Sequence, residues 1–322
     1  MDKLMSLAVF VAAVEEGSIA GAARRLGLSS VMAGRYLTAL EDALPARLVQ
    51  RTTRQLALTD AGVLYLPRCK RILDELEEAN HEVAATQSTP RGTLRVSAPV
   101  TFGAAFLAPV IADYSNDYPE VKVEVQLKDR FVDLIEEGVD IAIRIGKLKD
   151  SELIAQQISS CSLIACAAPA YLSRCGTPKS PAELASHVRI GYLGTVSTAP
   201  WSFEGPGDKV TAISDPYKFV TNNTQMMAEA AAAGLGIAYG PSFAFASHLE
   251  RGALVQVLPK YATPTLPIHA VTPTARHMPQ RVRAFRLSLA EAFSGGNVPW
   301  ERWRKQNPSG QPRNPQRAGR KP

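Results

Sequence analysis

The stretch from Gly17 to Glu41, GSIAGAARRLGLSSVMAGRYLTALE, constrains this chain more than any other. Ser18 is a good helix N-cap, Ala22, Ala23 and Leu26 form a short apolar stripe, and Gly27 stands where a helix C-cap belongs. Ser29 or Ser30 then caps a second helix, in which Ala33, Leu37 and Leu40 share one face. Helix, short glycine-bearing turn, helix is the geometry in which a second helix enters the major groove of DNA. Ser29, Ser30, Val31, Gly34, Arg35 and Thr38 are left as the candidate reading residues. Two of them are unusual: a glycine in mid-helix costs about 1 kcal/mol relative to alanine, and Val31 stands where a polar residue would be expected.

The segment RLVQRTTRQLALT, Arg47 to Thr59, follows as two short apolar-polar runs around a basic tip at Arg51 and Arg54. That pattern predicts a β-hairpin wing able to reach phosphates or a minor groove. Arg24, Arg25, Arg35, Arg47, Arg51 and Arg54 outnumber Glu41 and Asp42 across this region. Each phosphate neutralised by such an arginine adds about 0.9 to the logarithmic salt slope of binding. A solvated basic face on a generic three-helix domain is the other reading of the same charges.

Residues 59–88 carry one long helical pattern capped by Thr59. In it Tyr65, Cys69, Ile72, Leu76, Ala79 and Val83 recur in fours and threes. A seam of this kind predicts pairing with a second copy, and Pro67 inside it predicts a kink or a restart. From TPRGTLRVSAP onward the texture changes to strands alternating with helices, as far as about residue 293. Strands are expected at 93–98, 121–127, 140–146, 162–168, 236–240, 254–259 and 268–273, and helices at 104–117, 131–137, 169–174, 181–186, 224–233 and 279–293. Such alternation argues for parallel sheets with right-handed crossovers, arranged as two lobes with a ligand in the crevice between them.

The chain therefore divides into a winged helix-turn-helix at 1–58, a linker and dimerisation helix at 59–88, an α/β domain at 89–293 and a tail at 294–322. The tail holds seven basic residues and one acid, enough to account for the formal net charge of +6. It is rich in Pro, Gly, Gln and Asn and lacks aliphatic residues after Val298, so it is expected to be disordered. It either adds attraction to a polyanion or is simply a solvated end.

Enzyme chemistry is not indicated. There is no dinucleotide-binding glycine fingerprint, P-loop, nucleophile elbow or zinc-protease motif, and His81, His187, His248, His269 and His277 are scattered. His269, in an expected strand, reads as a satisfied core or cleft residue. Cys69, Cys161, Cys166 and Cys175 show no paired spacing, so no metal site or disulfide framework is expected; free thiols are the plain reading, and a redox pair has no support. No run reaches the roughly 18 apolar residues of a membrane span. The N-terminal MDKLMSLAVFVAAVEEG reads as an amphipathic helix rather than a signal peptide, which implies a cytoplasmic protein.

What remains is binding. Val100, Thr101 and Phe102 follow the first α/β strand at a helix start, where backbone N–H groups can hold an anion. Asn222, Asn223 and Thr224 repeat that arrangement in the second half, and Arg144 near a strand end is suited to a carboxylate. Equally, Thr101 and the asparagines serve as ordinary helix caps.

With these residues identified, the chain resembles a LysR-type transcriptional regulator from about residue 1 to 293. The resemblance rests on FVAAVEEGSIAGAARRLGLS and LTALEDALPARLVQRTTRQLALTDAG in the first part. In the second it rests on LRVSAPVTFG, VDLIEEGVDIAIRIG and AGLGIAYGPS. It implies an effector domain like a periplasmic binding protein, with a small carboxylate or aromatic acid between its lobes. It also implies a homodimer or homotetramer on double-stranded promoter DNA with inverted repeats, RNA polymerase as a candidate partner, no cofactor, and no membrane. Base contacts would then fall to Ser30, Val31, Gly34 and Arg35, and wing contacts to Arg51 and Arg54. Effector contacts would fall to Thr101, Phe102, Arg130, Arg144, Asn222 and Asn223. The chain departs from the family at Val31, Ala33 and Gly34, which bears on the operator sequence. A metabolite-binding module that uses DNA only as a platform is the competing reading.

Overall fold

A computed structural model describes residues 2–51, 56–84, 89–130, 133–148, 153–193, 200–205, 210–213, 217–273, 278–293 and 298–306. The N-terminal domain opens with α1 (Lys3–Glu15), α2 (Ile19–Arg25) and α3 (Ser30–Ala43). Side chains cap all three: Asp2 accepts from Leu4 N–H, Ser18 from Gly21 N–H and Ser29 from Met32 N–H. Gly27 adopts φ +67°, and Leu28 N–H bonds back to the Ala23 carbonyl, so α2 stops within one residue and the chain turns directly into α3. Leu7, Phe10, Leu37, Leu40 and Leu48 are buried together in the core of this domain.

Strands β1 (Val49–Arg51) and β2 (Leu56–Leu58) form the antiparallel wing, and α4 (Asp60–Ala84) follows. Thr59 caps α4 through Gly62 N–H. The helix continues through Pro67 rather than restarting there. Cys69 and Tyr65, expected in the intermolecular seam, pack into the domain's own core, whereas Ile72 and Leu76 remain exposed. The Ala79 and Val83 side chains lie outside the described residues.

The α/β domain begins with β3 (Gly92–Ala98), which leads into α5 (Val100–Phe102), a π turn (Gly103–Leu107) and α6 (Ala108–Asp117). There follow β4 (Val121–Leu127), β5 (Ile141–Ile145), the long β6 (Ile154–Ala167) and α7 (Pro169–Cys175). Next come a 3₁₀ turn (Pro181–Ser186), β7 (Arg189–Tyr192), β8 (Trp201–Glu204), β9 (Val210–Ile213) and β10 (Phe219–Thr221). The domain continues through α8 (Thr224–Ala232), β11 (Ile237–Pro241), α9 (Ser242–Glu250), β12 (Val255–Val257), β13 (Thr265–Thr272) and α10 (Gln280–Phe293).

One sheet runs β10-β7-β11-β6-β13-β5-β3-β4, with β12 also on β6. Strand β6 belongs to both lobes. Ile154 to Ser162 pair with β13, and Leu163 onward pair with β11 and β12. The first lobe is then β4-β3-β5-β13 and the second β10-β7-β11, joined by one continuous strand. The expected all-parallel arrangement holds for β3 with β4 and β5, and for β7 with β10 and β11. It fails at the centre, where β6 and β13 run antiparallel to their neighbours. Of the helix expected at 131–137, residues 131 and 132 lie outside the described residues, and the rest is a single turn over 134–138. Asp133 caps it through Ile135 and Glu136 N–H, and Gly138 at φ +63° ends it.

The tail also differs from expectation. A 3₁₀ turn (Pro299–Glu301) and α11 (Arg302–Gln306) extend the fold, and Trp300 is fully buried. Poverty in aliphatic residues does not prevent burial here, because two tryptophans supply the apolar surface. Residues 307–322 lie outside those described. Among the described residues, no single helix is long and apolar enough to cross a membrane.

Candidate nucleic-acid interface and effector cavity

Helix α3 divides as its sequence predicts. Ala33, Leu37 and Leu40 are buried, whereas Ser30, Arg35 and Thr38 are exposed and Val31 is 67% exposed. A Cβ added at Gly34 would meet nothing within 4 Å, so the glycine leaves the helix surface open without relieving any internal clash. Ser29 already uses its oxygen as the N-cap, which leaves its hydroxyl hydrogen to donate outward.

The residues that position this face were not evident from the sequence. Glu41, counted there only as an acid, is buried; its Oε1 accepts from Leu48 N–H at 2.8 Å and Val49 N–H at 3.2 Å. One side chain thus ties the end of α3 to the first wing strand. Thr59 Oγ1 donates to the Arg47 carbonyl at 2.6 Å, tying the wing to α4. Glu15 joins three helices, lying 2.6 Å from Arg25 Nη1 and 2.6 Å from Lys70 Nζ. Burial works against the Glu15 charge, but hydrogen bonds from Lys70 and Arg25 outweigh it and hold the carboxyl below its ordinary range. Arg25 is therefore committed to Glu15, and Arg24 stays exposed. At the wing, Arg54 and the Arg51 side chain lie outside the described residues.

Between the lobes lies a cavity of about 510 Å³, within the range of small-molecule sites. Its first-lobe wall carries charge: Lys128, Asp129, Arg130, Arg144 and Lys147. Its second-lobe wall is aromatic, formed by Tyr192, Trp201, Tyr217, Tyr239 and Phe243. Trp201 stacks on Tyr239 with ring centroids 5.2 Å apart, and Tyr239 OH donates to the Ser202 carbonyl, so these rings are held in place. Glu137 faces the cationic wall from behind, hydrogen-bonded to Lys128 Nζ and 3.1 Å from Arg130 Nη2. Burial pulls the Arg144 guanidinium below its ordinary value, and Glu137 opposes that. A planar group carrying negative charge matches both walls, the aromatic one by stacking and the basic one by charge-assisted hydrogen bonds.

The expected effector residues separate. Arg130 and Arg144 line the cavity. Thr101 is buried beside it and accepts a 2.8 Å hydrogen bond from Thr224, a cavity residue of the other lobe. Val100 N–H donates to Asp129 Oδ1, which fixes the loop bearing Asp129 and Arg130. Asn223 caps α8 through Met226 N–H, and Asn222 is exposed. Phe102 is fully buried in an aromatic cluster behind the cavity. The aromatic wall was missed in the sequence. Its one signal was the density of Trp and Tyr on short strands between residues 192 and 239.

His269 lies opposite Arg144 in the β13–β5 register. Its Nδ1 is buried without a hydrogen-bond partner among the described residues, and burial lowers its pKa, so it is not the satisfied histidine expected. All four cysteines are free, and burial pushes Cys69 and Cys161 up to about 12, which keeps both as thiols. The described residues hold no cluster of three or more His, Cys, Asp or Glu that could bind a metal ion.

Residues 4–63 match the family described as "Bacterial regulatory helix-turn-helix protein, lysR family", and residues 87–294 match "LysR substrate binding domain". The chain is 36% identical to the HTH-type transcriptional regulator PtxR of Pseudomonas aeruginosa over 288 residues, 89% of this chain and 92% of that protein. It is 33% identical to the HTH-type transcriptional activator AaeR of Escherichia coli over 296 residues, 91% and 94% of the two. Its fold is similar to that of CrgA, a LysR-type regulator of Neisseria meningitidis, with a TM-score of 0.58 at 32% identity over 89% of this chain and 97% of that one. Full-length AphB, the Vibrio cholerae virulence activator, gives a TM-score of 0.58 at 28% identity, covering 90% and 99%. A reading helix, a wing, a linker helix and a two-lobed domain, matched along nearly the whole chain by transcriptional regulators, make this protein a member of the LysR family of DNA-binding, effector-responsive and oligomeric regulators.

Proposed function

We propose that this protein binds inverted repeats in promoter DNA as a cytoplasmic homodimer or homotetramer, under the control of a small aromatic or carboxylate effector held between the two lobes. The division of α3 carries the DNA half of this reading: an apolar stripe is fully committed to the core while Ser30, Val31, Arg35 and Thr38 stand outside it. Arg35 offers a bidentate donor for a guanine, and Val31 an apolar contact to a thymine methyl. Wing contacts are assigned to Arg51 and Arg54, and an exposed Arg24 is available to a phosphate.

The effector half rests on the pairing of a basic wall with an aromatic one. Arg144, buried and reaching the cavity, is the carboxylate anchor. Arg130 assists it, and Thr101 acts through Thr224 by holding the lobes together beside the ligand. Contact with RNA polymerase would follow from promoter binding.

The experiment compares binding of the full chain to DNA upstream of its own gene and to random DNA at physiological salt. Sequence-specific regulation requires at least a thousandfold preference, typical of specific sites, and its reduction by roughly 10- to 100-fold in Arg35→Ala. Equal binding to both fragments overturns the reading and leaves DNA as a mere platform.

A further inference from the structure

We propose that residues 298–306 form a strap that sets the spread of the two lobes, with Trp300 as a positioning residue for the ligand cavity. The proposal rests on reading that cavity as the effector site. Helix α10 packs on α6 and β3 of the first lobe, whereas the 3₁₀ turn and α11 dock on α9 of the second. Residues 298–306 therefore touch both lobes, through Trp300 against Phe102 and Phe106 of the first and through the 3₁₀ turn and α11 against α9 of the second. The strap also lies beyond residue 294, where the match to the family ends.

Trp300 is fully buried, with its ring centroid 5.3 Å from Phe102, 5.3 Å from Phe106 and 5.5 Å from Phe293. Phe102 in turn meets Phe243 edge-on at 5.5 Å, and Phe243 lines the cavity. Only two rings thus separate the strap from a ligand. Trp300 Nε1 donates to the Ser160 carbonyl at 3.3 Å, on β6 just before that strand changes lobes. Trp303 Nε1 donates to the Trp300 carbonyl at 3.0 Å and holds the turn closed. Thr101 and Phe102 are adjacent: the first bonds across the cleft to Thr224 and the second packs on Trp300. Any change in lobe angle must move both contacts at once. A close-packed aromatic cluster deforms poorly, so it favours a discrete spread over a continuum.

Spin labels at exposed Asp113→Cys on α6 and Gln225→Cys on α8, in a Cys175→Ser chain diluted with unlabelled copies, read the interlobe distance with no ligand present. The intact strap predicts a narrow distribution. Trp300→Ala should shift or broaden it by several ångströms, and Trp300→Phe should largely restore it, with a thermal melt confirming that each variant is folded. A folded Trp300→Ala chain with the native distribution overturns the proposal. Should Trp300→Ala not fold, Trp303→Ala decides in the same way: a broadened distribution supports the strap and a native one overturns it. Calorimetric titration of the native chain with benzoate is a separate arm. Absence of binding there counts against the cavity reading alone, since the distances are measured without ligand.

Discussion

The two ends of the molecule place their polar ties on opposite sides of the working surface. In the N-terminal domain, Glu41, Glu15 and Thr59 are bonded behind the reading face, joining α3 to the wing and three helices to one another, while Val31 and Arg35 stand free in front. In the effector domain the charged groups face into the cavity, with Glu137 already neutralising part of the basic wall. A surface that must dock rigidly on a duplex is best held from behind. A cavity that must discriminate a small ligand needs its charges at the front, with something inside the protein to compensate them while it is empty.

This contrast can be broken at either end. Glu41→Ala should have the largest effect, because it leaves the buried Leu48 and Val49 N–H groups without a partner; at about 1–3 kcal/mol for each unsatisfied group, it should lower the stability of the N-terminal domain by about 2–6 kcal/mol. Denaturant unfolding followed by helix signal checks this, and an unchanged midpoint would show that the wing is held otherwise. Arg35→Ala should weaken promoter binding by roughly 10- to 100-fold without changing stability or binding to random DNA, measured by titration at fixed salt. Arg144→Ala should weaken benzoate binding about tenfold while leaving DNA binding in the absence of ligand intact. Glu137→Gln should do the reverse and strengthen benzoate binding by roughly threefold, since Lys128 and Arg130 lose their internal counter-ion. The smallest change is expected from Val31→Ser. It should move the base preferred at one half-site position away from thymine in a randomised-operator selection, with total affinity altered by less than about threefold.

The legibility of the two ends in the sequence follows from the same contrast. The α3 face could be read because its core stripe and its outer face alternate within 14 contiguous residues. In the cavity Arg144 could be read from its place near a strand end, but the aromatic wall could not, because Tyr192, Trp201 and Tyr239 lie far apart in the chain and only the lobe topology brings them together. Helix α9 escaped notice for a different reason. Ser242, Phe243, Ala244, Phe245, Ala246 and His248 are all buried, so the helix has no polar side to reveal its period. Antiparallel β6 and β13 were hidden by the helix-strand alternation around them, and Trp300 by the lack of aliphatic residues after Val298.

The single strand shared by both lobes also orders events in time. Strand β13 pairs with the first nine residues of β6, Ile154 to Ser162, yet it is made about 100 residues later. The contacts of the N-terminal domain, by contrast, close once the first turns of α4 are available, roughly 190 residues before β13 is complete. At about 5–20 residues per second, that gap corresponds to roughly 10–40 s of synthesis. During elongation the nascent chain therefore passes through a stage in which its reading helix is folded while its sensor is still an unfinished sheet with β6 unpaired on one side, the stage at which it is most exposed to aggregation and most dependent on chaperones.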